Sequence, residues 1–218
     1  MRKAIIAISA VIFIAFFIGF YLYPKMPDIM AGHWNAQGQV DGYISKFWGL
    51  FLMPIISFTL FLFFLLIPVI DPLKENISKF REYFDVAIFS IITFLFYIYL
   101  LTLVWNLGVR FNMIKALIPA FGILFYCCGI LVENAKRNWF IGIRTPWTLS
   151  SDLVWEKTHR IGGKLFKLSG IISFLGFLFS DFAIFFVLVP VFFAAIYTIV
   201  YSYFIYKKQY ANYQKEKI

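Results

Sequence analysis

Two stretches of this 218-residue sequence carry residue types that can do chemistry, and each holds one of its two histidines. In the first, His33 stands shortly before Asp41. Such a pair can move a proton, offer two metal ligands or fix a loop by hydrogen bonding. Two ligands fall short of a typical zinc site, so the loop-fixing pair is the expected reading. In the second, Ser150, Ser151 and Asp152 precede His159, the residue types of a nucleophilic triad. They crowd onto one short predicted helix without a nucleophile-elbow signature, so no hydrolase is expected there. Cys127 and Cys128 are neighbours inside an apolar run and read as small buried hydrophobes. No nucleotide-binding loop occurs, and neither a cofactor nor a metal is expected.

What must position these stretches is a membrane bundle. Hydrophobic residues make up 62% of the chain and charged residues 14%, and mean hydropathy is +0.82. A soluble core of this size cannot bury so much apolar surface, which excludes a soluble enzyme, a disordered chain and a disulfide scaffold. At roughly 1.5 Å of rise per residue, about 20 apolar residues cross a bilayer. Six segments meet or approach that length: 4–23, 47–70, 83–108, 113–132, about 161–179, and 182–206. The expected fold is an all-α integral membrane protein with six transmembrane helices. The first reads as an uncleaved signal anchor, because its apolar run is too long for a signal peptide. Lys164 and Lys167 trim the fifth. Ser180-Asp181 supplies the break before the sixth, with Asp181 favourably placed at a helix N-terminus.

Basic residues set the orientation. With the N-terminus inside, only Lys25, Lys46, Arg110 and Lys115 of the 20 lysines and arginines lie outside. Both termini are then cytoplasmic. The net charge of +9 becomes an orientation and anionic-lipid signal rather than a nucleic-acid one. The chain divides into a two-span module with an outer loop at 24–46 (1–70), spans three and four (71–132), and an inner loop with spans five and six (133–218). The spans hold no ionisable residue at mid-depth, the usual mark of a proton pathway or charged filter. Ser169 with Ser173, and Ala194 with Thr198 and Ser202, form small-residue stripes expected to pack helices and hydrogen-bond between them.

In the outer loop, Pro24 and Pro27 stop the first span, while 35–38 and Asp41-Gly42 are turn signals. A compact hairpin on the membrane surface follows, with Trp34, Tyr43 and Trp48 suited to the interfacial aromatic belt. In the inner loop, Thr148, Ser150 or Ser151 can cap a short helix running to about His159, ended by Gly162-Gly163. Its tryptophans and basic residues suit either an interfacial anchor or a recognition surface.

The inner run Asn138-Trp139-Phe140-Ile141-Gly142-Ile143-Arg144-Thr145-Pro146-Trp147-Thr148-Leu149-Ser150-Ser151, followed by Trp155, Thr158, His159 and Gly162-Gly163, resembles the signature of the SdpI family. The outer Pro27, His33-Trp34-Asn35, Gly38, Asp41-Gly42-Tyr43 and Lys46 resemble the N-terminal module that often accompanies it. The resemblance implies a prokaryotic plasma-membrane protein, not an enzyme, that gives resistance to a secreted antimicrobial peptide of the sporulation-delaying type. It also implies a sensor that holds a cytoplasmic transcriptional repressor at the membrane. On this reading the peptide either lies against the apolar helices in the membrane or meets the outer face at His33, Trp34, Asn35, Gly38, Asp41, Lys46, Asn106 and Arg110. The cytoplasmic partner meets Asn138, Trp139, Gly142, Arg144, Thr145, Pro146, Trp147, Thr148, Ser150, Trp155, Thr158 and His159, with Arg144 and Trp147 as leading contacts. The alternatives are a small exporter or flippase, which needs energy coupling that the sequence does not show, and an inner-face enzyme using His159, Asp152 and Arg144.

Overall fold

A computed structural model describes residues 2–179 and 182–216. In chain order these form α1 (Arg2–Leu22), β1 (Ile29–Trp34), β2 (Val40–Ser45), α2 (Lys46–Ile70), α3 (Lys74–Ser78), α4 (Arg81–Asn106), α5 (Met113–Asn134), α6 (Pro146–Ser150), α7 (Asp152–Leu175) and α8 (Phe185–Glu216). Five helices, α1, α2, α4, α5 and α8, are long and apolar enough to cross a membrane. The chain is therefore a multi-pass membrane protein, and among the described residues the helices are joined by short links and one two-stranded hairpin. Ser180 and Asp181, the expected break before the last span, lie outside the described residues.

Asn106 binds β1 and Asn112 binds the β1–β2 turn, which gathers the hairpin and the 107–112 link at one end of the bundle. Asp71 binds Trp139 and Asn76 binds Arg137, which gathers α3 and the 135–151 loop at the other. His33 and His159 thus sit at opposite ends and cannot share a site. One buried cluster near the loop end joins Ile8, Phe61, Ile77, Phe84, Ile141 and Trp155. A second, at the hairpin end, joins Ala15, Met30, Leu50, Phe51, Tyr99 and Leu103.

Two local expectations need correction. Gly162-Gly163 do not end a short helix, because α7 runs through both from Asp152 to Leu175. The reason is packing. A Cβ on Gly163 would lie 2.8 Å from the Gly129 carbonyl oxygen, and one on Gly129 would lie 2.7 Å from that of Gly163. Gly122 and Gly170 meet in the same way further along, at 2.9 and 2.5 Å. Four glycines let α5 and α7 run antiparallel with their backbones touching, as small residues do between membrane helices. The short helix is instead α6, whose N-cap Thr145 forms a reciprocal capping box with Thr148. Ser151 then caps α7 through the Val154 amide.

The second correction concerns the small-residue stripes. They are buried against neighbouring helices, but Ser169, Ser173 and Thr198 donate to carbonyls one turn back on their own helices. Of the stripe hydroxyls, Ser202 reaches outward, to Thr145 at 3.0 Å.

Candidate functional site

The hairpin is built by its turn chemistry. Asn35 Oδ1 accepts from the amides of Gln37 and Gln39, both at 3.0 Å, and Gly38 takes φ +77°, a region that suits glycine. β1 buries Met30 and Ala31 against the bundle and leaves His33 exposed. Gly49 of α2 makes room for Met30, whose sulfur would lie 2.6 Å from a Cβ there. Asn106 clamps β1 to α4: its side chain accepts from Ala31 N at 2.8 Å and donates to Ala31 O at 3.1 Å. Trp34 meets the edge of Trp105 at 5.8 Å, and the Arg110 guanidinium lies 3.5 Å from the Trp105 ring centroid. Lys46 pairs with Asp28 at 2.7 Å and so closes the base of the hairpin; its ammonium also holds the Asp28 carboxyl below the usual carboxylate range.

His33 Nδ1 and Asp41 Oδ1 lie 2.5 Å apart, an exposed pair bridging the two strands. This is the hydrogen-bonded arrangement the sequence suggests. Among the described residues no cluster of three His, Cys, Asp or Glu groups could hold a metal. The expected outer-face residues therefore fall into two sets. Trp34, Asn35, Gly38, Lys46 and Asn106 build the hairpin and its attachment, whereas His33, Asp41 and Arg110 present side chains to the surroundings. Asn112 escaped the sequence reading although it caps α5 and donates to Gln37 O at 2.8 Å. Its position just before an apolar run is an N-cap signal.

At the other end, the signature loop folds inward. Asn138 is fully buried; it donates to Lys136 O and Ile141 O and accepts from the amides of Phe140 and Ile141. Trp139 N donates to Asp71 Oδ2 at 2.9 Å, so a buried carboxylate at the end of α2 holds a loop 68 residues away. Sequence reading missed Asp71, and only its place at the end of an apolar span marks it. Arg137 reaches Leu149 O and pairs with Asp152 at 2.8 Å, and Arg144 reaches Trp139 O at 2.7 Å. Trp147 packs its ring against Tyr203 of α8 at 5.2 Å, and Ser151 donates to Gln209 at 2.8 Å.

His159 organises the middle of this loop. Its ring stacks on Trp155 with centroids 3.9 Å apart, and it is 1% exposed. Ile143 N donates to Nε2 at 3.0 Å, which leaves Nδ1 as the protonated nitrogen facing Trp155 O at 2.9 Å. Gly142, at φ +107°, lets the chain pass over the imidazole, since a Cβ there would lie 2.4 Å from Nε2. Burial of the ring lowers its pKa from an ordinary 6.5 to about 4. The folded protein thus keeps His159 neutral where the unfolded chain protonates it. Its contribution to stability is complete above pH 6.5 and fades as pH falls toward 4, a loss of roughly 3 kcal/mol. His159→Gln keeps an acceptor for Ile143 and removes the titration. Thermal unfolding in detergent at pH 7 and pH 4 should show the wild type losing more stability than the variant, and equal losses would refute this account.

Among the described residues no serine hydrogen-bonds to His159, whose two ring nitrogens are taken by backbone groups. Of the residues expected to meet a cytoplasmic partner, Asn138, Thr145, Thr148, Trp155, Thr158 and His159 are buried. Trp139, Arg144, Pro146 and Ser150 are exposed, and Trp147 is half-buried.

Comparison with known proteins matches family models to two parts of the chain. Residues 134–202 match the SdpI/YfhL protein family, which bears out the resemblance read from the inner loop. Residues 10–58, covering most of α1, the hairpin and the first half of α2, match a domain of unknown function, DUF1648. The chain is 27% identical over 209 residues to the immunity protein SdpI of Bacillus subtilis (strain 168), covering 95% of this chain and 98% of that protein. No solved structure matches.

Proposed function

We propose that this SdpI-family protein of the cell membrane is an immunity protein, acting without catalysis, that protects its host from a secreted antimicrobial peptide. The observation that carries this reading is the similarity to an immunity protein along nearly the whole length of both chains. Both functional ends fall within that span. The hairpin end faces outward in the proposed topology, with α7 as a sixth crossing, and offers His33, Asp41 and Arg110 to the peptide. The loop end faces the cytoplasm and offers Trp139, Arg144 and Trp147 to a repressor, which it holds at the membrane when the peptide is bound. The buried members of both motifs act as the frame that presents these groups. Transmission between the ends requires that peptide binding favour one packing of the bundle over another.

Survival tests the reading. The chain is expressed in a sensitive bacterium lacking its own immunity gene and challenged with mature sporulation-delaying peptide. Wild type is expected to protect. The double variant His33→Ala/Asp41→Ala should lose protection at least about ten-fold in tolerated dose while reaching the membrane normally, because a few central contacts dominate binding. Arg144→Ala should keep protection and lose induction of a repressor-controlled reporter. No protection by wild type at full membrane accumulation would overturn immunity to this peptide.

A further inference from the structure

A cavity of about 370 Å³ opens between the end of α5 and the first half of α7. Its lining includes Glu133, Lys136, Glu156, His159, Arg160 and Lys164 and is mostly polar. The charges do not cancel. Glu133 is already held by Lys167 at 2.5 Å, and Glu156 lies 3.8 Å from Lys136. His159 is neutral, with both ring nitrogens engaged by the backbone. Arg160 and Lys164 remain, one turn apart on α7, with no ion pair among the described residues. Two uncompensated cations at the rim of a polar cavity call for an anion, and a planar guanidinium beside an ammonium suits a phosphate.

The helix face that carries them says what the phosphate is attached to. Continuing from Arg160 and Lys164 at helical spacing, the same face of α7 presents Leu168, Ile171 and Leu175. These are 50%, 55% and 47% exposed. A pair of free cations followed by an uncovered apolar stripe matches a phospholipid, headgroup first and acyl chain after. The cavity volume lies near the lower end of the roughly 300–1,000 Å³ of small-molecule sites, which suits a headgroup rather than a whole lipid. We propose that the Arg160–Lys164 cavity binds the phosphate of an anionic phospholipid whose acyl chain lies along Leu168, Ile171 and Leu175. The site is independent of the immunity reading and would exist whatever peptide, if any, the hairpin meets.

Native mass spectrometry of the purified full chain in neutral detergent tests the site, with phosphatidylglycerol and phosphatidylcholine as probes. Wild type is expected to prefer phosphatidylglycerol. Arg160→Gln/Lys164→Gln should weaken that binding about thirty-fold, as expected for two headgroup-facing cations. Lys157→Gln/Lys208→Gln removes the same charge from a separate cavity at the same end and should change binding by no more than about two-fold. Unfolding temperatures of both variants verify that neither has lost its fold. Unchanged binding in the first variant, or an equal loss in the second, would overturn the site. Added inorganic phosphate separates the sources: displacement of the lipid at equal concentration assigns the site to free phosphate groups, and failure to displace it assigns the site to the lipid.

Discussion

Replacing Asn138 with leucine is expected to cost about 4 kcal/mol of stability and to undo the loop between α5 and α6. Asn138 is 0% exposed, and its amide joins four backbone groups within three residues either side. Leucine matches its size and offers no polar atom, so the Phe140 and Ile141 amides and the Lys136 and Ile141 carbonyls lose their partner together. Each buried orphan costs about 1–3 kcal/mol, and partial access to water lowers the sum. The consequence reaches beyond the loop, because Trp139 N would no longer be aimed at Asp71 nor Trp139 O at Arg144. Asn138→Asp is a second test: it keeps the two accepted bonds, loses the two donated ones and buries a charge, so it should be no milder. Trp139→Ala provides the contrast. Trp139 is 52% exposed, and its truncation should change stability by about 0.5 kcal/mol or less while removing a surface contact. Thermal unfolding in detergent measures all three. Asn138→Leu melting within about 2 °C of wild type would show that other contacts hold the loop.

The contrast between Asn138 and Trp139 also marks what the sequence could reveal. Apolar runs long enough to cross a bilayer placed α1, α2, α4, α5 and α8 because the membrane leaves a helix few other ways to satisfy its backbone. The hairpin was legible because turn chemistry is local: Asn35, Gly38 and Gly42 lie within the turn and strands they shape. The inner motif was legible as a motif and not as a structure. Its residues read as an interfacial anchor or a recognition surface, whereas the structure makes the buried polar ones a frame, through partners far away in sequence, such as Asp71 for Trp139 and Ser202 for Thr145. Gly162-Gly163 misled for a related reason. Glycine after a helical run is a stop signal when nothing packs on it, and a contact surface when another backbone does. The spacing that distinguishes the two was present, since Gly122 and Gly129 repeat the interval of Gly163 and Gly170. It acquires meaning only once α5 and α7 are known to run antiparallel.

That seam sets the other large effect. Gly163→Leu is expected to lower stability by about 3 kcal/mol or more and to part α5 from α7, beyond the usual range for overpacking because backbone must move. A Cβ at 163 would lie 2.5 Å from Glu133 Cβ and 2.8 Å from the Gly129 carbonyl oxygen. Neither atom is the far end of a flexible side chain, so relief comes only by separating the helices. Separation would break the Lys167–Glu133 pair and move the two anchors of the signature loop, the end of α5 and the start of α7, away from each other. Gly163→Ala should follow in the same direction with a smaller loss, because it brings the Cβ clash without the bulk beyond it. Gly108→Ala is the control. Its Cβ would meet nothing within 4 Å, so the only cost is the strain of φ +106°, about 1–2 kcal/mol, and the seam stays intact. The order Leu below Ala below Gly in unfolding temperature at position 163 is the expected result, and a Gly163→Leu protein that accumulates and melts like wild type would sink the seam. Because the loop hangs from this seam, Gly163→Leu should abolish protection and reporter induction together, whereas Arg144→Ala should abolish induction alone. The two variants thereby separate a frame that fails from a contact that is missing.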